Sequence, residues 1–142
     1  MRVTAIHIAP GRRLPVTYVP SVTAEAGKGL IGDRYHGAKH RHVTLQAQDE
    51  LDEAAAQLGV EFEPGQTRRN ITVDHGPIPS KPGERLRIGD VDLEVVRIAA
   101  PCRILDDTIA PGAAAALRRR AGTCFRILEG GEIRIGDEVV VS

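Results

Sequence analysis

Residues 84–103, ERLRIGDVDLEVVRIAAPCR, decide the fold. Residues 84–88 alternate with period two, break at Gly89 and Asp90, and resume at Val91, which predicts two strands joined by a tight turn. The apolar face then runs Val91, Leu93 and Val95 before slipping by one to Val96 and Ile98. That slip is the mark of a β-bulge, a device that re-aims side chains near sites. Pro101 has no N–H for a ladder, so the strand ends there. Cys102 comes next, at the strand end, where a side chain can reach a pocket. Arg103 beside it favours the thiolate, the form that attacks sulfur or binds metal. A buried, inert thiol is the competing reading.

Working outward, residues 3–8 are apolar and β-branched and stop at Pro10 and Gly11, and residues 14–19 stop at Pro20; both read as strands. Residues 20–42 carry no period, four glycines and several cations, which predicts a long functional loop. Residues 43–46 read as a brief strand. The next element is a helix over 47–58, with Leu51, Ala54, Ala55 and Leu58 in one apolar stripe and Gly59 past its end. Residues 68–73 read as a strand with a polar entrance, and residues 111–121 as a second helix with Pro111 in its first turn and Arg118, Arg119 and Arg120 at its negative end. Residues 123–128, 132–135 and 138–141 close the chain as strands. So many short strands must manage their edges, and a mainly β fold with a barrel or curled sheet is expected, in one domain over residues 1–142.

Composition narrows function by exclusion. Nineteen cationic residues balance nineteen acidic ones, so no global field draws the chain to nucleic acid or anionic membrane. Aromatics are 3%, too few for base-stacking platforms. Two cysteines do not make a disulfide framework, and no run approaches a membrane span or a signal-peptide core. A cytoplasmic protein with reduced thiols is expected.

Several motifs carry competing chemistry. Gly27, Gly29 and Gly32 match G-x-G-x-x-G, but the adjoining DRYHG at 33–37 is no helix start, so a dinucleotide site is not expected. The glycines permit close backbone approach to an anion, and Arg34 lies nearby. His36, His40 and His42 are spaced H-x3-H-x-H and could hold zinc for a hydrolase, although a loop does not fix that spacing as a helix would. Arg68, Arg69 and Asn70 put two cations and an amide at a strand entrance, suited to gripping phosphate. Cys124 lies in an apolar stretch and reads as structural.

Taken in order, GDRYHG at 32–37, VTL at 43–45, RRNITV at 68–73, Pro101 with Cys102, and GGEIRIGD at 130–137 resemble the MOSC family, named after the C-terminal domain of molybdenum cofactor sulfurase. The resemblance implies a β-barrel of the kind seen in the pyruvate kinase barrel domain, with two or three short helices and a cysteine at its pocket. It implies binding of the molybdenum cofactor, a pterin dithiolene bearing a phosphate. By the same resemblance Cys102 is the reactive cysteine, a molybdenum ligand or a persulfide sulfur carrier. Arg34, His36, Thr44, Arg68, Arg69 and Asn70 are expected cofactor contacts. The implied activities are reduction of N-hydroxylated compounds or sulfur transfer, with a sulfur donor or redox protein as partner. The alternative within the family is a non-catalytic sulfur-carrier module that docks on a molybdoenzyme. The chain has no pyridoxal-phosphate desulfurase domain, so pyridoxal phosphate is not expected.

Overall fold

The computed structural model describes residues 1–12 and 14–142. The strands are β1 (Val3–Ile8), β2 (Thr17–Tyr18), β3 (Ser21–Glu25), β4 (Gly29–Leu30), β5 (Val43–Ala47), β6 (Ile71–Val73), β7 (Arg85–Ile88), β8 (Val91–Ile98), β9 (Thr123–Glu129), β10 (Gly131–Arg134) and β11 (Val139–Val141). The helices are α1 (Gln48–Leu58), α2 (Ile104–Thr108) and α3 (Ala113–Ala116), with a 3-10 turn at Pro64–Thr67. Among the described residues no helix is long and apolar enough to cross a membrane.

The expected closed barrel does not form. The protein is a mixed sheet-and-helix fold with two open sheets. One has eight strands in the linear order β11-β7-β8-β9-β5-β6-β1-β2, and the other has three in the order β10-β3-β4. Two physical facts account for the difference. The edges are short, two residues in β2 and three in β11, and short edges need no closure to be protected. At the β11 end a single bridge between Arg2 and Glu138, not a ladder, covers part of the edge. In addition, β5 and β6 run parallel, so the chain must cross over between them, and α1 with the 3-10 turn makes that crossing.

The sheets enclose one apolar core, in which Phe125, Leu45, Ile71, Leu93 and Ile133 are fully buried. A second cluster lies under the helices, where Leu51 and Ala54 of α1 meet Leu105, Ala113, Ala116 and Leu117. The predicted stripe of α1 is therefore the face that packs, and Gly59 ends the helix in the left-handed conformation. Of the arginine run, Arg120 both caps and pins: its Nη1 donates to Ala116 O at 3.1 Å at the end of α3 and to Gln57 Oε1 at 2.7 Å on α1, and its Nε lies 3.7 Å from Glu53.

Between the layers the sheet presents buried polar groups. Gln46 Nε2 donates to Thr72 Oγ1 at 3.0 Å and to Pro64 O at 3.2 Å, and Thr67 Oγ1 donates to Gln46 Oε1 at 2.7 Å. These bonds seat the 3-10 turn on the sheet. Gln66 Nε2 donates to Thr108 O and Thr108 Oγ1 to Gln66 O, which ties that turn to α2.

The predicted bulge is present: the β8–β9 register slips between Val95 and Arg97. Beyond it, Ile98 faces Thr123, and Ala99 N–H donates to Gly122 O at 2.9 Å. Residues 100–121, with α2 and α3, thus leave and rejoin the sheet at one closed neck. Gly122 is required there. Its φ is +89°, and a Cβ at this position would lie 1.8 Å from Leu45 O. Gly122→Ala is expected to cost about 3 kcal/mol or more, because neither backbone can yield; urea unfolding with an unchanged m-value measures it.

His42 is buried with both ring nitrogens engaged, Nε2 with Ala38 O at 3.0 Å and Nδ1 with the Ile127 N–H at 2.9 Å. Nδ1 must be unprotonated to accept, and burial lowers the His42 pKa. Burial lowers that of His7 as well. With the folded pKa below the unfolded one, the unfolded state binds more protons as pH falls. The stability these groups contribute is therefore complete above about pH 6.5 and declines below it. The urea midpoint should fall between pH 7.5 and 5.5. His42→Asn, which keeps an acceptor near the Nδ1 position but cannot titrate, should flatten that fall.

Candidate functional site

The end of β8, the 3-10 turn and the loop before β5 converge on a cavity of about 250 Å3. Its wall includes Ala9, Arg12, Asp33, Arg34, Tyr35, Arg41, Thr67, Arg68, Arg69, Asn70, Ala100, Cys102, Ile104 and Leu105. Cys102 is exposed and lies on this wall, just before α2. Of the residues singled out from the sequence, Arg34, Arg68, Arg69, Asn70 and Cys102 meet here. His36 and Thr44 do not line the cavity. His36 Nε2 pairs with Glu25 Oε2 at 3.0 Å on the surface, and this pairing with Lys28 nearby lowers the Glu25 pKa. Thr44 is buried in the sheet. The glycines of the G-x-G-x-x-G stretch lie outside the cavity, with Gly29 in β4.

Three consecutive residues, Arg68, Arg69 and Asn70, reach the same cavity. A strand would alternate them to opposite faces. The strand instead begins at Ile71, and Arg68 adopts φ +65°, a left-handed conformation costing about 1–2 kcal/mol for a non-glycine residue. Its N–H closes the 3-10 turn on Gly65 O at 3.1 Å.

Asn70 is a structural hub. Its Oδ1 accepts from Thr44 N–H at 3.0 Å and Thr44 Oγ1 at 3.1 Å, and its own N–H donates to Thr44 Oγ1 at 2.9 Å. Its Nδ2 donates to His7 O at 3.1 Å and to Asp33 Oδ1 at 3.3 Å. One amide thus joins β5, β6, β1 and the loop carrying Asp33. Asp33 is itself used up: Oδ1 also accepts from Ala9 N–H at 2.9 Å, and Oδ2 from Tyr35 N–H at 3.3 Å.

Arg69 is buried and holds the neck of the 100–121 segment, with Nε donating to Ala121 O and Nη2 to Ala100 O, both at 2.9 Å. Burial, and then the nearby Arg41 cation, lower its pKa, although it remains a cation at neutral pH. Arg68 Nη1 donates to Leu14 O at 2.6 Å. Arg41 and Arg34 carry their guanidinium carbons 4.1 and 4.5 Å from the Tyr35 ring centroid, and Arg34 Nη2 donates to the Tyr35 hydroxyl. Sequence reasoning left Arg41 among the loop cations and passed over Tyr35. Their placement two residues before β5, and within the GDRYHG stretch, is the signal that marks them.

The zinc alternative finds no support. Both His42 ring nitrogens are already bonded, His36 is paired with Glu25, and among the described residues no three His, Cys, Asp or Glu side chains gather as a metal site. Cys124 is buried on β9 beside Thr44.

Solved structures share this architecture. The YUAD protein from Bacillus subtilis superposes with a TM-score of 0.87 at 20% identity, covering 99% of this chain and 94% of that one. YiiM from Geobacillus stearothermophilus gives 0.76 at 17% identity, covering 99% and 74%, and YiiM from Escherichia coli gives 0.73 at 15%, covering 100% and 70%. At these identities the likeness is one of fold. No curated protein matches the sequence. A model of the MOSC domain matches residues 32–140. With most of its length inside that match, the chain belongs to the MOSC domain family.

Proposed function

We propose that the cavity binds the molybdenum cofactor, with Cys102 serving as molybdenum ligand or as a persulfide sulfur carrier. The observation that carries this reading is an exposed thiol on the wall of a cavity with five arginines. The donor set fits the group. A thiolate is a soft ligand suited to a metal held by sulfur, and guanidiniums match phosphate. Arg41 Nε and Arg68 Nη2 are buried without an acceptor among the described residues, which is what an anionic ligand would supply. At about 250 Å3 the cavity lies just below the usual ~300–1,000 Å3 of ligand pockets, so it takes one end of a pterin-sized molecule and leaves the rest at the mouth.

When bound, the cofactor supplies a redox-active metal centre for reducing N-hydroxylated compounds or for accepting sulfur. The chain's own groups have simpler tasks. Arg34, Arg68 and Arg69 neutralise the ligand's charge. Arg69 holds Ala100 O, two residues before Cys102, and so fixes the thiol relative to the cations. Ile104 and Leu105 exclude water from the inner wall. Asn70 and Thr44, bonded to each other, keep the floor rigid rather than contacting the ligand directly. A sulfur-carrier module without turnover is the second reading. It draws on the exposure of Ile98, at 48%, at the end of β8, and of Cys102 beyond it in the chain, which suits a partner protein that must reach the thiol.

Protein from a cofactor-competent host should carry molybdenum and pterin, and Cys102→Ser should lose most of the metal, while the cofactor-free forms of the two proteins share one Tm. Equal molybdenum in the two proteins would remove the ligand role. A cyanide-labile persulfide on the wild-type thiol, without reductase turnover, would favour the carrier reading instead.

A further inference from the structure

A groove of about 750 Å3 runs between α1 and residues 59–66. It shares no lining residue with the cavity that holds Cys102. Local sequence builds it. Gly59 ends α1 in the left-handed conformation, and its N–H and that of Val60 both donate to Ala55 O, so the chain turns back at the helix end. The helix side of the groove carries Ala55 and Ala56, whose methyl groups leave space rather than fill it. Phe62 is half-buried against the helical cluster that includes Leu51, and Val60 stays 39% exposed. The floor is therefore apolar.

The rim is acidic. Asp52, Glu61 and Glu63 line it, all three exposed, and no lysine or arginine does. None of the three has a cation within 4.0 Å among the described residues. Like charges around an apolar floor repel nucleic acid, anionic lipid and acidic proteins, and they attract a basic surface. The floor in turn favours an occupant that brings an apolar side chain to bury. The main chain adds polar groups: residues 60–63 belong to no strand, and the N–H groups of Glu61 and Phe62 meet no backbone acceptor among the described residues. Free main-chain donors suit a polypeptide, which supplies carbonyl oxygens along with its side chains. Gln66 also lines the groove and is tied to Thr108 of α2 by hydrogen bonds of 2.9 and 3.0 Å. An occupant thus touches the support of the segment that carries the thiol.

We propose that this groove docks a partner protein through a basic segment in which an apolar side chain is flanked by lysine or arginine. The apolar side chain lies on Ala56, Val60 and Phe62, and the flanking cations meet Asp52 and Glu61. The proposal goes beyond the cofactor reading. It needs neither Cys102 nor a loaded cavity.

Selection from a random peptide library on the immobilised, cofactor-free chain tests it. Enriched peptides are expected to carry lysine or arginine on both sides of an apolar residue. A synthetic peptide with leucine between lysines should then bind saturably in fluorescence anisotropy, and the backbone amide NMR shifts it causes should fall within residues 51–66. Asp52→Lys together with Glu61→Lys should weaken that peptide about tenfold or more. The same double variant should gain affinity for a peptide with glutamates in place of the lysines, a readout that a misfolded variant cannot give. Val60→Ser, which leaves the rim charges intact, should weaken both peptides. Enrichment of acidic or uncharged peptides, affinity untouched by the double reversal, or shifts around the Cys102 cavity instead overturns the basic-segment site. Unchanged affinity in Val60→Ser overturns the apolar anchor. Self-association of the wild-type chain that the double reversal abolishes assigns the groove to a second copy and overturns the partner. Cys102→Ser should keep peptide affinity, so the thiol's role and the groove fail separately.

Discussion

One buried guanidinium organises the cavity. Arg69 enters from the polar end of β6 and donates to Ala100 O and Ala121 O, the two ends of the segment that carries Cys102, α2 and α3. Those carbonyls have left the β8–β9 ladder and need donors, and the guanidinium supplies both at once. A lysine could not span them with the same geometry, because its ammonium is a point donor rather than a planar fork. The cost is a desolvated cation, partly offset by the carbonyl dipoles. Asn70, the next residue, performs the matching task for β1, β5 and the Asp33 loop. Two neighbouring side chains therefore hold most of the wall.

Overall electroneutrality conceals a strongly uneven charge distribution. The chain carries nineteen cations and nineteen anions, yet residues 48–66 contain six carboxylates and no lysine or arginine. Among the described residues, five arginines line the cavity, against the single carboxylate of Asp33. Charge balance over the whole chain speaks only to the long-range field, and it could not reveal this local one. A cavity lined in this way concentrates anions from solution while the molecule as a whole stays neutral.

The parts legible in the sequence were those set by short-range pattern. Alternation gave β7 and β8, the slip at Val96 gave the bulge, and the stripe from Leu51 to Leu58 gave α1. Pro101 correctly marked the end of a strand before Cys102. What escaped was set by long-range pairing. β3 and β4 lie inside the stretch expected to be a loop, because the partner of β3 is β10, more than a hundred residues away in sequence. The second helix is shorter than its pattern, four residues at α3, because Gly112 and the left-handed Arg119 bound it. α2 had no apolar period to announce it. The barrel failed because the pattern of strands says nothing of whether the last meets the first. At the site, the gathered arginines were legible as residue types, but Asn70 as a hub was not, since its five hydrogen bonds reach residues 26 to 63 positions away.

The closed neck at Ala99 and Gly122 has an evolutionary corollary. Because residues 100–121 begin and end at adjacent points on the sheet, their length is decoupled from strand register. Lengthening a segment anchored in this way costs little, roughly 0.6 kcal/mol per doubling of its length. Insertions or exchanges there would reshape the roof over the thiol while leaving the arginine floor untouched. Divergent relatives could thus acquire new selectivity by swapping a single contiguous piece of polypeptide.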